Sequence, residues 1–273
     1  LMRSVKIKEV IDALERFAPL PLQEEYDNAG LQVGLTEAEV SGALLCLDVT
    51  ERVVDEAITK GCNLIVAHHP LIFRKLSQVT DANYVQRTVI KAIKNDIVIV
   101  AMHTNLDAAF GGVNFKIAEK LRLRDVRFFG REKVVTNPLT DKKVTGGDGV
   151  IGCFDTPLAA DDLILLLKKE FDVECVQANE LLRREIRTVA LCGGSGSFLL
   201  QDAINAGADA FITGEMGYHE FFGHEQEIQL CVIGHYQSEQ YTTEVLRDVI
   251  ERDCPGVKCC ISEINTNPIV YFS

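Results

Sequence analysis

The sequence predicts an α/β fold with largely parallel strand pairing, and three observations carry that expectation. Short apolar runs alternate with stretches of helical periodicity along most of the chain. Residues 43–69, "ALLCLDVTERVVDEAITKGCNLIVAHH", align without a gap on 189–215, "VALCGGSGSFLLQDAINAGADAFITGE". Histidines fall where apolar runs end, the position at which open α/β sheets hold their ligands.

The elements follow in order. "SVKIKEVIDALERF" sets Ile7, Val10, Ile11, Leu14 and Phe17 on one helical face, with Ser4 as the expected N-cap. "GALLCLDV" reads as a strand, and "TERVVDEAITKG" as a helix capped by Thr50 and stopped by Gly61. "NLIVAHH" is the next strand, "NYVQRTVIKAIKND" a helix and "IVIVAMH" a strand.

In the gapless alignment Leu45, Cys46, Ala57, Ile58 and Gly61 meet identical residues at Leu191, Cys192, Ala203, Ile204 and Gly207. Further on, "IVIVAMHTNLD" matches "QLCVIGHYQSE", so His103 and Asp107 correspond to His235 and Glu239. An apolar strand, a histidine and an acid four residues later thus occur twice. Two related α/β lobes are expected, divided as residues 1–130 and 131–273 and facing each other across a cleft.

Composition narrows the function classes. At 273 residues, 47% hydrophobic and 25% charged, the chain can bury a core in two domains of ordinary size. No stretch reaches the roughly 18 apolar residues of a membrane span, and "LMRSVKIKEVIDALERF" has an amphipathic pattern rather than a signal-peptide core. The cytoplasm is the expected compartment. Nine cysteines contain no C-x-x-C pair, and Cys46, Cys62, Cys192 and Cys231 lie in or beside apolar runs, so they read as reduced core thiols. A net charge of −12 argues against nucleic acid as a partner and leaves metals, small molecules and proteins.

Six histidines are present, and His68, His69, His103 and His235 all stand at strand ends, with Asp107 and Glu239 just beyond two of them. Singly, His68 and His69 read as a solvated loop pair, and His103 and His235 as hydrogen-bonded structural residues. Together, imidazoles and carboxylates at such positions form a metal-site composition. Adjacent residues in extended backbone point to opposite faces, and Pro70 biases His69 towards that conformation. The pair is therefore expected to be splayed, one ion to each histidine, with Asp107 and Glu239 able to bridge.

Other motifs carry less. "CGGSGS" after a strand can present N–H groups to a phosphate or can serve tight-turn packing, and it lacks the lysine of a P-loop. His219 and His224 receive no role, and Asp27 and Asn28 are expected to cap or turn the chain rather than to bind a ligand.

The ordered set "YDNAGLQVG", "AHHPLIF", "HTNLDAA", "CGGSGSF", "ITGE" and "GHYQSE" resembles the Nif-three-like dinuclear metal family, whose members are called GTP cyclohydrolase type-2 homologues. The resemblance spans nearly the whole chain. It implies two intertwined, internally duplicated α/β repeats with mixed, largely parallel sheets, and a homohexameric ring with metals facing an inner cavity. It also implies two divalent ions per chain, zinc, iron or manganese, held by His68, His69, Asp107, His235 and Glu239, with His103 beside them. Longer relatives insert a domain where this chain has "VVTNPLTDKKVTGGDG", read here as a Gly-rich, turn-like connector, so this is a short form.

Such a centre acidifies water and polarises the bond it attacks, which makes a metal-dependent hydrolase of a nucleotide or similar small molecule the leading expectation. The competing class is a non-catalytic metal-storage, chaperone or scaffold protein, which needs the same ligands. The repeat separates their roles: "AHH" in the first lobe faces "TGE" in the second, so His235 is expected to be a ligand, while His103 is free to support the ligands from behind or to act as a catalytic proton shuttle.

Overall fold

The computed structural model describes residues 4–272. Along the chain the elements are α1 (Ile7–Phe17), β1 (Gly30–Val33), β2 (Ala43–Cys46), α2 (Glu51–Lys60), β3 (Leu64–Ala67), α3 (Tyr84–Lys94) and β4 (Val98–Ala101). A single-turn helix α4 (Thr104–Asp107), α5 (Val113–Lys120), β5 (Arg124–Thr136), β6 (Lys143–Leu158), α6 (Ala160–Glu170) and β7 (Gln177–Ala178) come next. The chain ends with β8 (Ile186–Cys192), α7 (Leu200–Asn205), β9 (Ala210–Thr213), β10 (Gln229–Val232), α8 (His235–Glu239), α9 (Thr242–Asp253) and β11 (Cys259–Ile261).

Two mixed sheets organise these elements, as the sequence predicts. The first runs β1-β4-β3-β2-β11, parallel except where β1 pairs antiparallel with β4. Every residue of β2, β3 and β4 is buried, which explains why these strands read as unbroken apolar runs without alternation. Val53, Val54 and Ala57 of α2 and Val89 and Ala92 of α3 pack on this sheet in one apolar cluster. The second sheet runs β5-β6-β8-β9-β10-β7, with β8, β9 and β10 parallel and β6 and β7 antiparallel to their neighbours. Phe129, Ile151, Phe211 and Leu230 belong to its core.

The capping signals act as local chemistry requires. Thr50 accepts the N–H of Val53 through its hydroxyl, and Gly61 closes α2 in the left-handed region at φ 68°. Gly207 repeats that stop at φ 73°. The pairing that sets Ala43 beside Leu64 sets Val189 beside Ala210, so the two aligned segments also share their strand register. At α1 the expected cap is displaced. The helix starts at Ile7 because the Glu9 carboxylate accepts the Lys6 N–H, while the Ser4 hydroxyl donates to Glu39 instead.

The stretch read as a turn-like connector is a hairpin of two long strands, β5 and β6. Its glycines lie within β6 because there is no room for a side chain: a Cβ on Gly147 would come 2.6 Å from the Phe128 ring, and one on Gly149 would come 2.5 Å from Phe129. The residues group into two compact units. One comprises 1–106, 135–144 and 242–269, the other 107–134, 145–241 and 270–273. The 130/131 division expected from the sequence falls inside β5, whose residues belong to both units.

Candidate metal centre

In the first unit, β3 ends at Ala67 and the chain bends at His68 and His69. That bend removes the strand alternation on which the expected splay depends. The two rings converge, with centroids 4.8 Å apart, and the His103 ring stands 5.3 and 5.4 Å from them. One ligating atom from each of the three histidines lies within 4.8 Å of the other two. Distance alone therefore does not set His103 apart from its neighbours.

Each of the three rings is held from behind through Nδ1. His68, fully buried, donates from Nδ1 to the carbonyl of Met102 at 2.8 Å. His69 Nδ1 lies 2.8 Å from Asp48 Oδ1, and the other oxygen of Asp48 accepts the Thr266 hydroxyl at 2.6 Å. Burial works to raise the Asp48 pKa, but the bonds from His69 and Thr266 outweigh it and hold the carboxyl below its usual range. His103 Nδ1 lies 2.7 Å from Asp27 Oδ1. Asp27 also accepts the N–H of Asn28 and both the N–H and hydroxyl of Thr104. Burial again opposes ionisation, and these bonds still bring Asp27 down to about 2. Asp27 closes a turn through its N–H to the Glu24 carbonyl, as expected, and its carboxylate also braces His103, a contact that local sequence does not announce.

In the second unit the strand–histidine–acid pattern is built on α8. Gly234, at φ 97°, turns the chain out of β10 and starts α8 at His235, which brings Glu239 onto the same helical face. His235 Nε2 is 3.1 Å from Glu239 Oε2, and its Nδ1 is 3.0 Å from Glu215 Oε1. Oxygens of Asp107 and Glu239 come within 4.8 Å of each other. Burial and the charges of Asp107, Glu239 and Asp148 together push the Cys192 thiol well above its usual pKa, so it remains a neutral core group.

The Gly-rich loop belongs to this same cluster. Gly193 N–H is donated to Asn114, Gly194 N–H to Ser238 and Gly196 N–H to Thr213. Those three amides are committed within the fold, which favours the packing reading over a phosphate cradle. Gly194 sits at φ 59°, and a Cβ there would press into the Glu239 carboxylate and lie 3.3 Å from His235 Nε2. The loop is glycine because Glu239 needs that space.

The donor set fits a divalent ion. All four strand-end imidazoles engage an oxygen through Nδ1, which assigns the proton there and turns the Nε2 lone pair forward, as in metal-binding histidines generally. The 3.1 Å between His235 Nε2 and Glu239 Oε2 is near the ~3.3 Å that separates two ligands on one tetrahedral ion with bonds of about 2.0–2.1 Å. His219 and His224 lie elsewhere: His219 stacks on Phe222, and His224 pairs with Glu227.

Two mixed α/β sheets, each with imidazoles or carboxylates just past its parallel strands, define a class of α/β protein whose strand ends offer a donor set of metal-ligand type. The model of the Duf34/NIF3 (NGG1p interacting factor 3) family matches residues 5–268, and the chain belongs to that family. A Clostridium perfringens relative named GTP cyclohydrolase 1 type 2 homolog is 33% identical over 271 residues, covering 98% of this chain and 100% of its own. A Clostridium acetobutylicum relative of the same name is 32% identical, covering 91% of this chain and 90% of its own. The solved structure of a Staphylococcus aureus hypothetical protein superposes with a TM-score of 0.88 at 28% identity, over 99% of this chain and 100% of that one.

Proposed function

We propose that this chain is a metal-dependent hydrolase of a nucleotide or related small molecule, holding two divalent ions through His68, His69, Asp107, His235 and Glu239. The observation that carries the proposal is the orientation of the imidazoles. His68, His69 and His235 are each braced through Nδ1, the arrangement that makes Nε2 a ligand, and His103 is braced likewise by Asp27, an arrangement that equally suits a proton carrier. Zinc, iron and manganese all suit this mixture of nitrogen and oxygen donors. A pair of such ions, when bound, supplies acidified water and draws charge from the bond under attack.

The chain's own part in turnover falls to His103. Asp27, its side chain fully covered and strongly ionised, accepts the Nδ1 proton and stabilises the ring when Nε2 takes up a second one. His103 can thereby receive a proton as the substrate is attacked and return it to the leaving group. The shared name of the relatives supports a nucleotide as the first substrate class to try. Elemental analysis at saturating metal is expected to find about two ions per chain, with His235→Ala losing one and His103→Ala keeping both while losing turnover. At most one ion in the wild type would end the dinuclear reading. Two ions with no hydrolysis across a panel of nucleotides and phosphoesters would favour metal storage or scaffolding.

The same reading includes a homohexamer in the cytoplasm. Among the described residues no helix is long and apolar enough to cross a membrane. Leu35, Tyr218 and Phe272 stand 84%, 73% and 96% exposed, apolar surface that a closed assembly would cover. Light scattering at micromolar concentration is expected to give six times the chain mass of 30.2 kDa, and a monomeric mass would remove the hexamer.

A further inference from the structure

The two aligned segments place different chemistry at matching positions. In the first, Asp48 holds Nδ1 of His69. The gapless alignment puts Gly194 opposite Asp48 and Glu215 opposite His69. In the second segment the acid thus stands where the first has its histidine, and a glycine stands where the first has its acid. The glycine opposite Asp48 has a steric cause. An aspartate at 194 would occupy the space of the Glu239 carboxylate. At the position matching His68, a Cβ on Gly214 would come 2.7 Å from the Gly194 carbonyl and 2.8 Å from the Ser238 hydroxyl. Residues 189–215 therefore carry no counterpart of His68, and the imidazole that serves this unit, His235, comes from beyond them.

We infer that Glu215 is the positioning residue of His235, taking over from the position of His69 the bracing task that Asp48 performs in the first segment. Its Oε1 lies 3.0 Å from His235 Nδ1, and its Oε2 accepts the Ser195 hydroxyl. Each carboxylate oxygen thus has one partner, and the arrangement fixes the ring with Nε2 towards Glu239. Asp48 is held in the same way, one oxygen by a histidine and the other by the Thr266 hydroxyl. Glu215 needs no contact with an ion or substrate to act; it works through the orientation and basicity of the imidazole.

This inference rests on the metal-centre reading, and the test separates the two. Glu215 is half exposed, so its replacement leaves the core intact. Zinc affinity is measured by competition with a chromogenic chelator for the wild type, Glu215→Ala and Glu215→Gln, and protein with 15N-labelled histidine reports which nitrogen of His235 carries the proton. Glu215→Ala is expected to weaken one zinc by roughly 10- to 100-fold and to lose the Nδ1–H signature of His235. Glu215→Gln, which keeps an acceptor oxygen for Nδ1–H, is expected to recover most of both. If Glu215→Ala binds zinc within twofold of the wild type with the Nδ1–H signature unchanged, Glu215 does not position His235. A wild type that takes up no zinc would instead overturn the metal reading, and this inference with it.

Discussion

Gly194 and Gly61 share the left-handed region of backbone space, at φ 59° and 68°, yet a side chain at each would meet very different surroundings. Around Gly61 there is nothing within 4 Å, so Gly61→Ala should cost only the backbone term, about 1–2 kcal/mol. At Gly194 the same term is joined by a collision with Glu239, which is buried and has little freedom to retreat. Chemical denaturation of the metal-free protein should find Gly194→Ala more destabilised than Gly61→Ala by at least about 1 kcal/mol. Equal losses would mean that Glu239 moves aside freely. Asp27 supports a prediction in pH. Its carboxyl stands at about 2 rather than the usual 3.8, so it stabilises the folded state fully above pH 3.8 and loses that contribution as pH falls towards 2. At 1.36 kcal/mol per unit the contribution is about 2 kcal/mol. Stability of the metal-free wild type should therefore drop between pH 5 and 2 by about that much more than the stability of Asp27→Asn, and parallel curves would refute the assignment. The histidines and acids of the site were legible because they recur at strand ends. The braces were not: Asp27 and His103 are far apart in sequence, and nothing in "YDNAG" records the fold that joins them.

Elements became legible in the sequence wherever their signal was local. α2 is written by Thr50, an apolar face and Gly61, and β3 by a short run buried on both faces. The β5–β6 hairpin was misread because glycine has two uses that a sequence does not distinguish. Gly61 and Gly207 supply a positive φ with open space around them, whereas Gly147, Gly149 and Gly152 supply the absence of a Cβ against Phe128, Phe129 and the Arg124 carbonyl. The second use depends on a neighbouring strand, and so on pairing that has no local trace. The bend at His68 and His69 failed for a related reason. Pro70 restricts the backbone of His69 but does not say where the strand ends, and the ladder stops at Ala67. α8 shows the opposite case: a histidine and an acid four residues apart meet on one face only if a helix starts at once, and Gly234 at φ 97° makes that start.

For the whole molecule, the similarity of residues 43–69 to 189–215 carries no trace of the path of the chain through the two units. Segments 135–144 and 242–269 belong with residues 1–106. Amphipathic periodicity marks α9 as a helix yet carries no record of which sheet it serves, because that depends on contacts distant in sequence. The structure packs α9 against α1 and lays β11 beside β2 in parallel, with Cys260 opposite Leu44. The first unit is consequently closed by residues 242–269, which follow the whole of the second sheet in the chain. A fragment of residues 1–130 has all the histidines of the first cluster, but it lacks β11 along one edge of its sheet and α9 over the apolar face of α1. Ile7, Val10, Leu14 and Leu44, all fully covered or nearly so in the whole chain, belong to the core those elements help close. Uncovering a handful of such side chains forfeits on the order of 1.5–3 kcal/mol each, which together rivals the ~5–15 kcal/mol stability of a typical domain. The exposed β2 edge would further invite aggregation. The fragment is therefore expected to show no cooperative thermal transition by circular dichroism and poorly dispersed amide resonances, while the full chain shows both cooperativity and dispersion. A 1–130 fragment that unfolds cooperatively with well-dispersed resonances would mean that α9 and β11 decorate the first unit rather than complete it.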